Sequence, residues 1–265
     1  MSKPVLSVII PCYNSGQLPF EAVQSVMTSS HPEMTTVIIV DDGSTDEESI
    51  AAVRKLEADG HMVVYQENKG PAAARNAGVR RTETPYLLFL DSDNKVRRDY
   101  IYRGVQFLET NPEFGVFYGK PNFVGDTTGR LFTTRSFDLS SLLVNNYIDL
   151  CSVVRRAAWD SVGGFDENRI LIGQEDWELW IRLGGHGWKF HFHDELSFDY
   201  LIRPDSLSTK VNRDEIASYI FSRNADIVRK CYLDIHKQFR FYRYDRKHPL
   251  RSFLKYVYLN LKRQA

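Results

Sequence analysis

An α/β fold with a mainly parallel central sheet and helices on both faces is predicted by two observations on this chain. Short, continuously apolar runs alternate with stretches of helical periodicity, and each run ends in a cluster of polar residues. Runs apolar on both sides belong to strands covered on both faces, and strand–helix alternation builds a parallel sheet. In such sheets ligands collect at the carboxyl ends of the strands. The residues that close each run are therefore the first candidates for a site.

Val5 to Ile10 is the first run, closed by Pro11-Cys12-Tyr13-Asn14, and residues 20–30 follow as a helix with Phe20, Val23, Val26 and Met27 on one side. Val37 to Val40 ends at Asp41-Asp42-Gly43-Ser44. Ser44 and Glu47 have capping-box spacing, which predicts a helix opening there and running to about Ala58. Met62 to Tyr65 is the third strand, closed by Asn68-Lys69-Gly70-Pro71; Pro71 suits a first helical position, and Ala72 to Arg80 continue that helix. The fourth run, Tyr86 to Leu90, enters Asp91-Ser92-Asp93.

The second half is less regular. Phe114 to Tyr118, Leu150 to Val154 and Trp188 to Phe192 read as strands. Residues 157–162 read as a short helix closing on Gly163-Gly164-Phe165-Asp166-Glu167, and Gln174-Glu175-Asp176-Trp177 opens another. Trp177, Trp180 and Ile181 recur at helical spacing and are expected in the core, while Glu175 and Asp176 fall in a first turn, where the helix dipole favours carboxylates. His191 and His193 alternate on one side of their strand, which is expected to be an exposed face rather than a metal approach.

Asp91-Ser92-Asp93 carries the most chemical information. Period-two alternation predicts both carboxylates on one face where the strand leaves the sheet. At about 6–7 Å and an effective dielectric near 20 their repulsion is on the order of 2 kcal/mol, which a cation between them would remove. Oxygen ligands there suit Mg²⁺ or Mn²⁺, which keep a few carboxylates and fill the remaining positions with water and phosphate. A solvated Asp-Ser-Asp turn is the competing account. No Gly-x-Gly-x-x-Gly follows the first strand and no Walker sequence occurs, so a glycine-rich loop does not hold phosphate. A phosphate-bearing ligand on this acidic rim needs a metal bridge, which favours the cation.

The 265 residues suffice for one large domain, and 43% hydrophobic with 26% charged residues is an ordinary globular composition. Lys+Arg and Asp+Glu both total 34, which argues against general nucleic-acid binding, so no nucleic-acid partner is expected. Cys12, Cys151 and Cys231 lie far apart without paired spacing, which argues against a disulfide framework or zinc site and suits a reducing cytoplasm. No window approaches 18 apolar residues and the first residues carry no leader pattern. Residues 237–265 hold nine basic residues against Asp245, leaving 1–236 acidic.

Val8-Ile9-Ile10-Pro11-Cys12-Tyr13-Asn14, Asp41-Asp42-Gly43-Ser44-Thr45-Asp46, Gly70-Pro71-Ala72-Ala73-Ala74-Arg75-Asn76 and Leu90-Asp91-Ser92-Asp93, followed by Gly163-Gly164-Phe165-Asp166-Glu167 and Glu175-Asp176-Trp177, together strongly resemble family 2 glycosyltransferases. The resemblance implies the Rossmann-like nucleotide-diphospho-sugar transferase (glycosyltransferase A) fold, a divalent metal and inversion at the anomeric carbon. It implies that Tyr13 and Asp41 contact the base and ribose, that Pro11 shapes the pocket, and that Arg75, Asp91 and Ser92 also serve the nucleotide. Asp93 would be the Mn²⁺ or Mg²⁺ ligand and Asp176 the general base; at an ordinary pKa of about 3.9 that base needs no activation at pH 7. Glu175 and Arg203 would serve the acceptor or the diphosphate. Leu201 stands where the family often carries Arg, and the Gln-x-x-Arg-Trp of processive synthases is absent, so addition of one sugar is expected.

The expected organisation is a catalytic domain over 1–215, with a nucleotide-binding half (1–115) and an acceptor-side half (116–215), and a basic helical extension over 216–265. Leu250, Phe253, Leu254, Val257, Tyr258 and Leu261 recur at helical spacing among basic residues. That face would lie on an anionic bilayer or pack on protein, a second subunit included. The expected partners are a nucleotide diphospho-sugar, UDP-linked by family frequency, and a glycan or lipid-linked acceptor. The expected setting is the cytoplasm or the inner face of the membrane, in cell-surface polysaccharide or glycoconjugate synthesis. Two other classes compete: a non-catalytic nucleotide-sugar binder, and a sugar-nucleotide pyrophosphorylase, against which Cys12 to Pro19 offers one glycine and no basic residue.

Overall fold

The computed structural model describes residues 3–125, 132–203 and 211–233, with Lys247 beyond them. Residues 1–223 form one compact unit and 224–265 a second. The first unit contains β1 (Leu6–Cys12), α1 (Leu18–Met27), β2 (Thr35–Asp41), α2 (Glu47–Ala58), β3 (Met62–Tyr65), α3 (Pro71–Val79), β4 (Tyr86–Phe89), β5 (Lys95–Val96) and α4 (Tyr100–Thr110). It continues with β6 (Phe114–Gly125), α5 (Leu139–Val144), β7 (Ser152–Arg155), α6 (Arg156–Ser161), α7 (Glu175–Gly185), β8 (Lys189–Ile202) and α8 (Arg213–Arg223). α8 straddles the boundary expected at 215/216. Of the second unit, residues 225–233 are helical; the basic stretch 237–265, apart from Lys247, lies outside the described residues.

One sheet runs β3-β2-β1-β4-β7-β6-β8-β5. Its first four strands are parallel, as the strand–helix alternation requires, and β6 pairs in parallel with β8. β7 is antiparallel to both neighbours, and β5 is antiparallel to β8. Because β7 runs against β4, its amino end lies on the rim where β4 ends. β1 extends through Pro11 to Cys12, beyond the expected strand. Pro11 pairs with Val40 of β2, but the β1–β4 ladder stops at Ile9–Phe89, so its missing N–H breaks no bond on that side.

Two expectations are corrected. The N-cap of α2 is Asp46, whose side chain accepts from the Ser49 amide at 2.8 Å, rather than Ser44, whose hydroxyl accepts from the Asn14 amide at 3.1 Å. β6 and β8 are also much longer than their apolar runs. They continue past Gly119 and His193 as a paired ribbon with register shifts, where the inward apolar pattern no longer marks them.

Leu6, Val8 and Ile10 of β1 and Leu88 of β4 pack with Val23 and Val26 of α1, Leu56 of α2 and Val105 and Leu108 of α4 on one side of the sheet. On the other side Gly78 of α3 meets Ile9 and Val40: a Cβ at Gly78 would lie 2.5 Å from Ile9 Cγ2 and 3.1 Å from Val40 Cγ2. The missing side chain lets α3 sit low, which brings Arg75 to the level of the strand ends. Gly→Ala in an open helix stabilises by about 1 kcal/mol. Gly78→Ala is expected to reverse that sign and destabilise by roughly 1–3 kcal/mol, because the stiff β-branched neighbours cannot yield. Urea unfolding measures the sign directly.

Candidate active site

The rim is assembled by hydrogen bonds between the loops that leave β1, β2 and β3. Asn14, left-handed at φ 47°, donates its amide to Ser44 Oγ and accepts from the Thr45 amide at 2.8 Å through Oδ1. Asp41, buried, accepts from the Ser44 amide at 3.0 Å. Its neighbour Asp42 takes three donors: Gln66 Nε2 at 2.6 Å, the Lys69 amide at 2.9 Å and the Gly70 amide at 2.8 Å. Gly43 between the two loops has φ +77°, and a Cβ there would lie 2.9 Å from the Asn68 amide nitrogen, so the turn needs glycine twice over. Tyr13 stands at the edge, 48% exposed, and Pro11 is half-buried.

Arg75 of α3 is buried. Its guanidinium donates through Nη1 to Glu175 Oε1 and through Nη2 to Asp91 Oδ1 at 2.6 Å. One cation thus joins the exit of β4, at Asp91, to the first turn of α7, at Glu175, two elements far apart in sequence. Asn76, next along α3, donates to the Phe165 carbonyl at 2.9 Å and to Glu167 at 2.8 Å and accepts from the Phe165 amide at 3.0 Å. The Gly163–Glu167 loop is thereby fastened to α3. Asp166 in turn accepts from Tyr219 Oη of α8 at 2.8 Å.

Residues 91–94 form a turn, with the Asn94 amide donating to the Asp91 carbonyl, so strand alternation ends before Asp91. The turn and the paired carboxylates coexist: Asp91 faces Arg75, and Asp93 pairs with Arg203 at 2.7 Å. Asn94, buried, accepts from the Leu201 amide at 3.1 Å and so brings the end of β8 beside Asp93. Ser92 Oγ lies 3.1 Å from Ser15 Oγ. Burial, reinforced by Asp91 and opposed by Arg203, pushes the Asp93 carboxyl up to about 6. The repulsion between the two acids is relieved inside the protein by two arginines, one buried and one, Arg203, half exposed.

Asp176 accepts from its neighbour's Trp177 amide at 2.7 Å and from Asn146 Nδ2 at 2.9 Å. Burial, then Glu175 and Asp149, raise its carboxyl well above the usual carboxylate range. The expectation of an ordinary, fully ionised base is therefore corrected. Asp149 itself, just ahead of β7, accepts from the Cys151 amide at 2.8 Å and is pushed up to about 7 by burial and by Asp91. The Tyr200 phenol of β8 feels Asp149, Asp91, Asp93 and Asp176 and is raised, chiefly by burial. Among the described residues no three His, Cys, Asp or Glu side chains come close enough to hold a metal by themselves.

Asn146, Asp149 and Tyr200 were not among the site residues expected from the sequence. Asn146 and Asp149 fall in a stretch without periodicity, and their one signal is topological: a strand antiparallel to β4 starts on the catalytic rim. His191 and His193 are placed on the α4 side, where His191 stacks on Phe107 at 3.8 Å and His193 on Phe117 at 5.1 Å between ring centroids. Trp177 and Trp180 are buried. Glu175 also lines a narrow cleft between Lys69–Ala72 and residues 167–172, and its Oε2 has no hydrogen-bond partner among the described residues.

Residues 7–163 match the model of glycosyl transferase family 2. The chain belongs to that family. The putative teichuronic acid biosynthesis glycosyltransferase TuaG of Bacillus subtilis is 39% identical over 108 residues, which are 40% of this chain and 42% of TuaG. An uncharacterized glycosyltransferase of Rickettsia conorii is 31% identical over 192 residues, covering 69% of this chain and 31% of that protein. The chain thus spans less than half the length of these curated relatives. Residues 1–349 of Staphylococcus aureus TarS in complex with UDP-GlcNAc align with TM-score 0.65 at 21% identity, over 78% of this chain and 61% of that one. The mannosyltransferase PcManGT of Pyrobaculum calidifontis, in complex with GDP-Man and Mn²⁺, aligns with TM-score 0.63 at 19% identity, over 86% of this chain and 65% of that one. The α/β fold is therefore shared with these two proteins, as the sequence led us to expect.

The carboxylate cluster has a thermodynamic consequence. A carboxyl whose folded-state pKa exceeds its unfolded value binds protons more tightly when folded, so its contribution to stability falls as pH rises from about 4 to about 7 and stays low above. Asp149→Asn removes that penalty. We expect the variant to be more stable than wild type by on the order of 2 kcal/mol near pH 8, with the advantage shrinking towards about pH 4. Urea unfolding at several pH values reads both the sign and the window.

Proposed function

We propose that the chain is an inverting glycosyltransferase that moves one sugar from a nucleotide diphospho-sugar to an acceptor hydroxyl, with Asp176 as general base. The observation that carries this reading is the Asp91–Arg75–Glu175 bridge, which ties the donor-side strand end to the helix bearing Asp176. Pro11, Tyr13, Asp41 and Ser92 border the nucleotide in this reading, and the buried Arg75 holds the pocket's acidic wall. TarS is described with UDP-GlcNAc and PcManGT with GDP-Man, so a uridine or guanosine diphospho-sugar is the donor class to test. TuaG and the poly-beta-1,6-N-acetyl-D-glucosamine synthase of Staphylococcus epidermidis, 24% identical over 211 residues, support a glycan acceptor in surface polysaccharide synthesis. Among the described residues no helix is long and apolar enough to cross a membrane. We propose action in the cytoplasm or at the inner membrane face.

A divalent cation fits the residues present. Asp91, Asp93, Asp149, Asp176 and Glu175 act on one another or on Tyr200, and Arg75 and Arg203 balance two of these five charges. Asp93 would hold Mn²⁺ or Mg²⁺, ions that keep few protein ligands. When bound, the cation stabilises charge building on the departing diphosphate. Arg203, half exposed, is free to turn from Asp93 towards that diphosphate as a fixed positive charge. Glu175 Oε2, buried without a partner among the described residues, offers an acceptor for a substrate hydroxyl. Asp176 accepts the proton from the acceptor hydroxyl as that oxygen attacks the anomeric carbon opposite the diphosphate. Its raised pKa calls for the ionised form to be favoured by cations, so transfer is expected to rise from acid towards neutral pH.

UDP release from UDP-GlcNAc, and GDP release from GDP-Man, with Mn²⁺ and with or without a glycan acceptor, separates a transferase from a binder. Asp176→Asn is expected to lower transfer by about 10²–10⁴-fold while nucleotide binding by calorimetry is kept. Asp93→Ala is expected to abolish the dependence on Mn²⁺. Full transfer by Asp176→Asn would show that another group takes the proton.

A further inference from the structure

α5 and the stretch from it to β7 are held to α7 by both buried tryptophans. Trp177 Nε1 donates to the Leu142 carbonyl at 2.6 Å, and Trp180 Nε1 donates to the Ile148 carbonyl at 3.1 Å. Between these anchors Asn146 spends its two amide atoms in opposite directions. Its Oδ1 accepts from the Ile148 amide at 3.1 Å, which fixes the side chain's orientation and leaves Nδ2 facing Asp176 Oδ2 at 2.9 Å. The other Asp176 oxygen is held by the Trp177 amide at 2.7 Å. A carboxylate gripped at both oxygens has a defined plane, so the lone pairs left over have fixed directions.

We infer that Asn146 is a positioning residue for Asp176, fixing the plane in which that carboxylate meets the acceptor hydroxyl through its Nδ2–H···Oδ2 bond. The inference rests on the reading of Asp176 as the general base. The arrangement has a chemical logic. Asp176 feels Glu175 on its own helix and Asp149 on the stretch that carries Asn146, and it acts on Tyr200 of β8; the buried cation Arg75 spends its charge on Glu175 and Asp91. In this acidic surrounding a neutral donor steadies the ionised carboxylate without adding a salt link that would neutralise it as a base. An aspartate in place of Asn146 would preserve the acceptor for Ile148 but present a further negative charge to Asp176.

The test is a ¹³C-carboxyl NMR titration of the full chain labelled at aspartate, with the Asp176 signal assigned by its loss in Asp176→Asn. Asn146→Ala and Asn146→Asp are compared with wild type, and circular dichroism checks that each is folded. Asn146→Asp keeps the loop's own hydrogen bond and guards against loop collapse in the alanine variant. We expect the Asp176 midpoint to rise by about one pH unit in Asn146→Ala, the size of a lost hydrogen bond to a charged group, and further in Asn146→Asp. The acid limb of UDP release from UDP-GlcNAc with Mn²⁺ is expected to move with it, kcat falling more than the donor KM changes. An Asp176 midpoint that stays put in both folded variants, while Asp176→Asn is inactive, overturns the inference alone. Undiminished release by Asp176→Asn overturns the base reading and the inference together.

Discussion

The buried guanidinium of Arg75 is the interaction on which the rest of the site depends. It stands between Asp91, at the end of β4, and Glu175, at the start of α7, with almost no access to water. Burying an arginine is costly unless its charge is matched, and removing one member of such a group leaves an uncompensated charge that costs about 3–5 kcal/mol. The bridge is therefore a constraint on geometry more than a net source of stability. It sets how far α7, the helix bearing Asp176, stands from the strand ends, and the absence of a side chain at Gly78 is what lets α3 deliver it at that height.

Around this bridge the protein accumulates negative charge. Asp93, Asp149 and Asp176 are all pushed upward by burial and by neighbouring carboxylates, and no described cation other than Arg203 approaches Asp93 as a partner. Such a pocket is poorly balanced on its own and well suited to ligands that bring cations with them. The same physics links fold and function here: the groups that weaken the free protein at neutral pH are those a metal-bound donor would stabilise. Asn146 and the Trp177 amide temper the effect at Asp176, the carboxylate proposed as the base.

Much of this was legible in the sequence because buried parallel strands and their exits obey local rules. Apolar runs marked β1 to β4, Pro71 marked the start of α3, and the polar clusters at the run ends do converge on one rim. The illegible parts are those set by tertiary contact. Ser44 looked like a cap by spacing, yet its hydroxyl serves Asn14 of another loop, and Asp46 caps the helix. The ribbon of β6 and β8 loses the apolar pattern once it leaves the core. The elevated pKa of Asp176 arises from burial, then Glu175, then Asp149; Asp149 is distant in sequence and reaches the rim because β7 runs antiparallel to β4.

The most direct measurement is a double-mutant cycle between Arg75 and Glu175, with Arg75→Leu, Glu175→Leu and the double variant compared by urea unfolding near neutral pH. If the bridge is the constraint described, each single variant is strongly destabilised and the double variant recovers a large part, a coupling of about 2–3 kcal/mol. Additive losses, with no recovery in the double variant, would contradict the account.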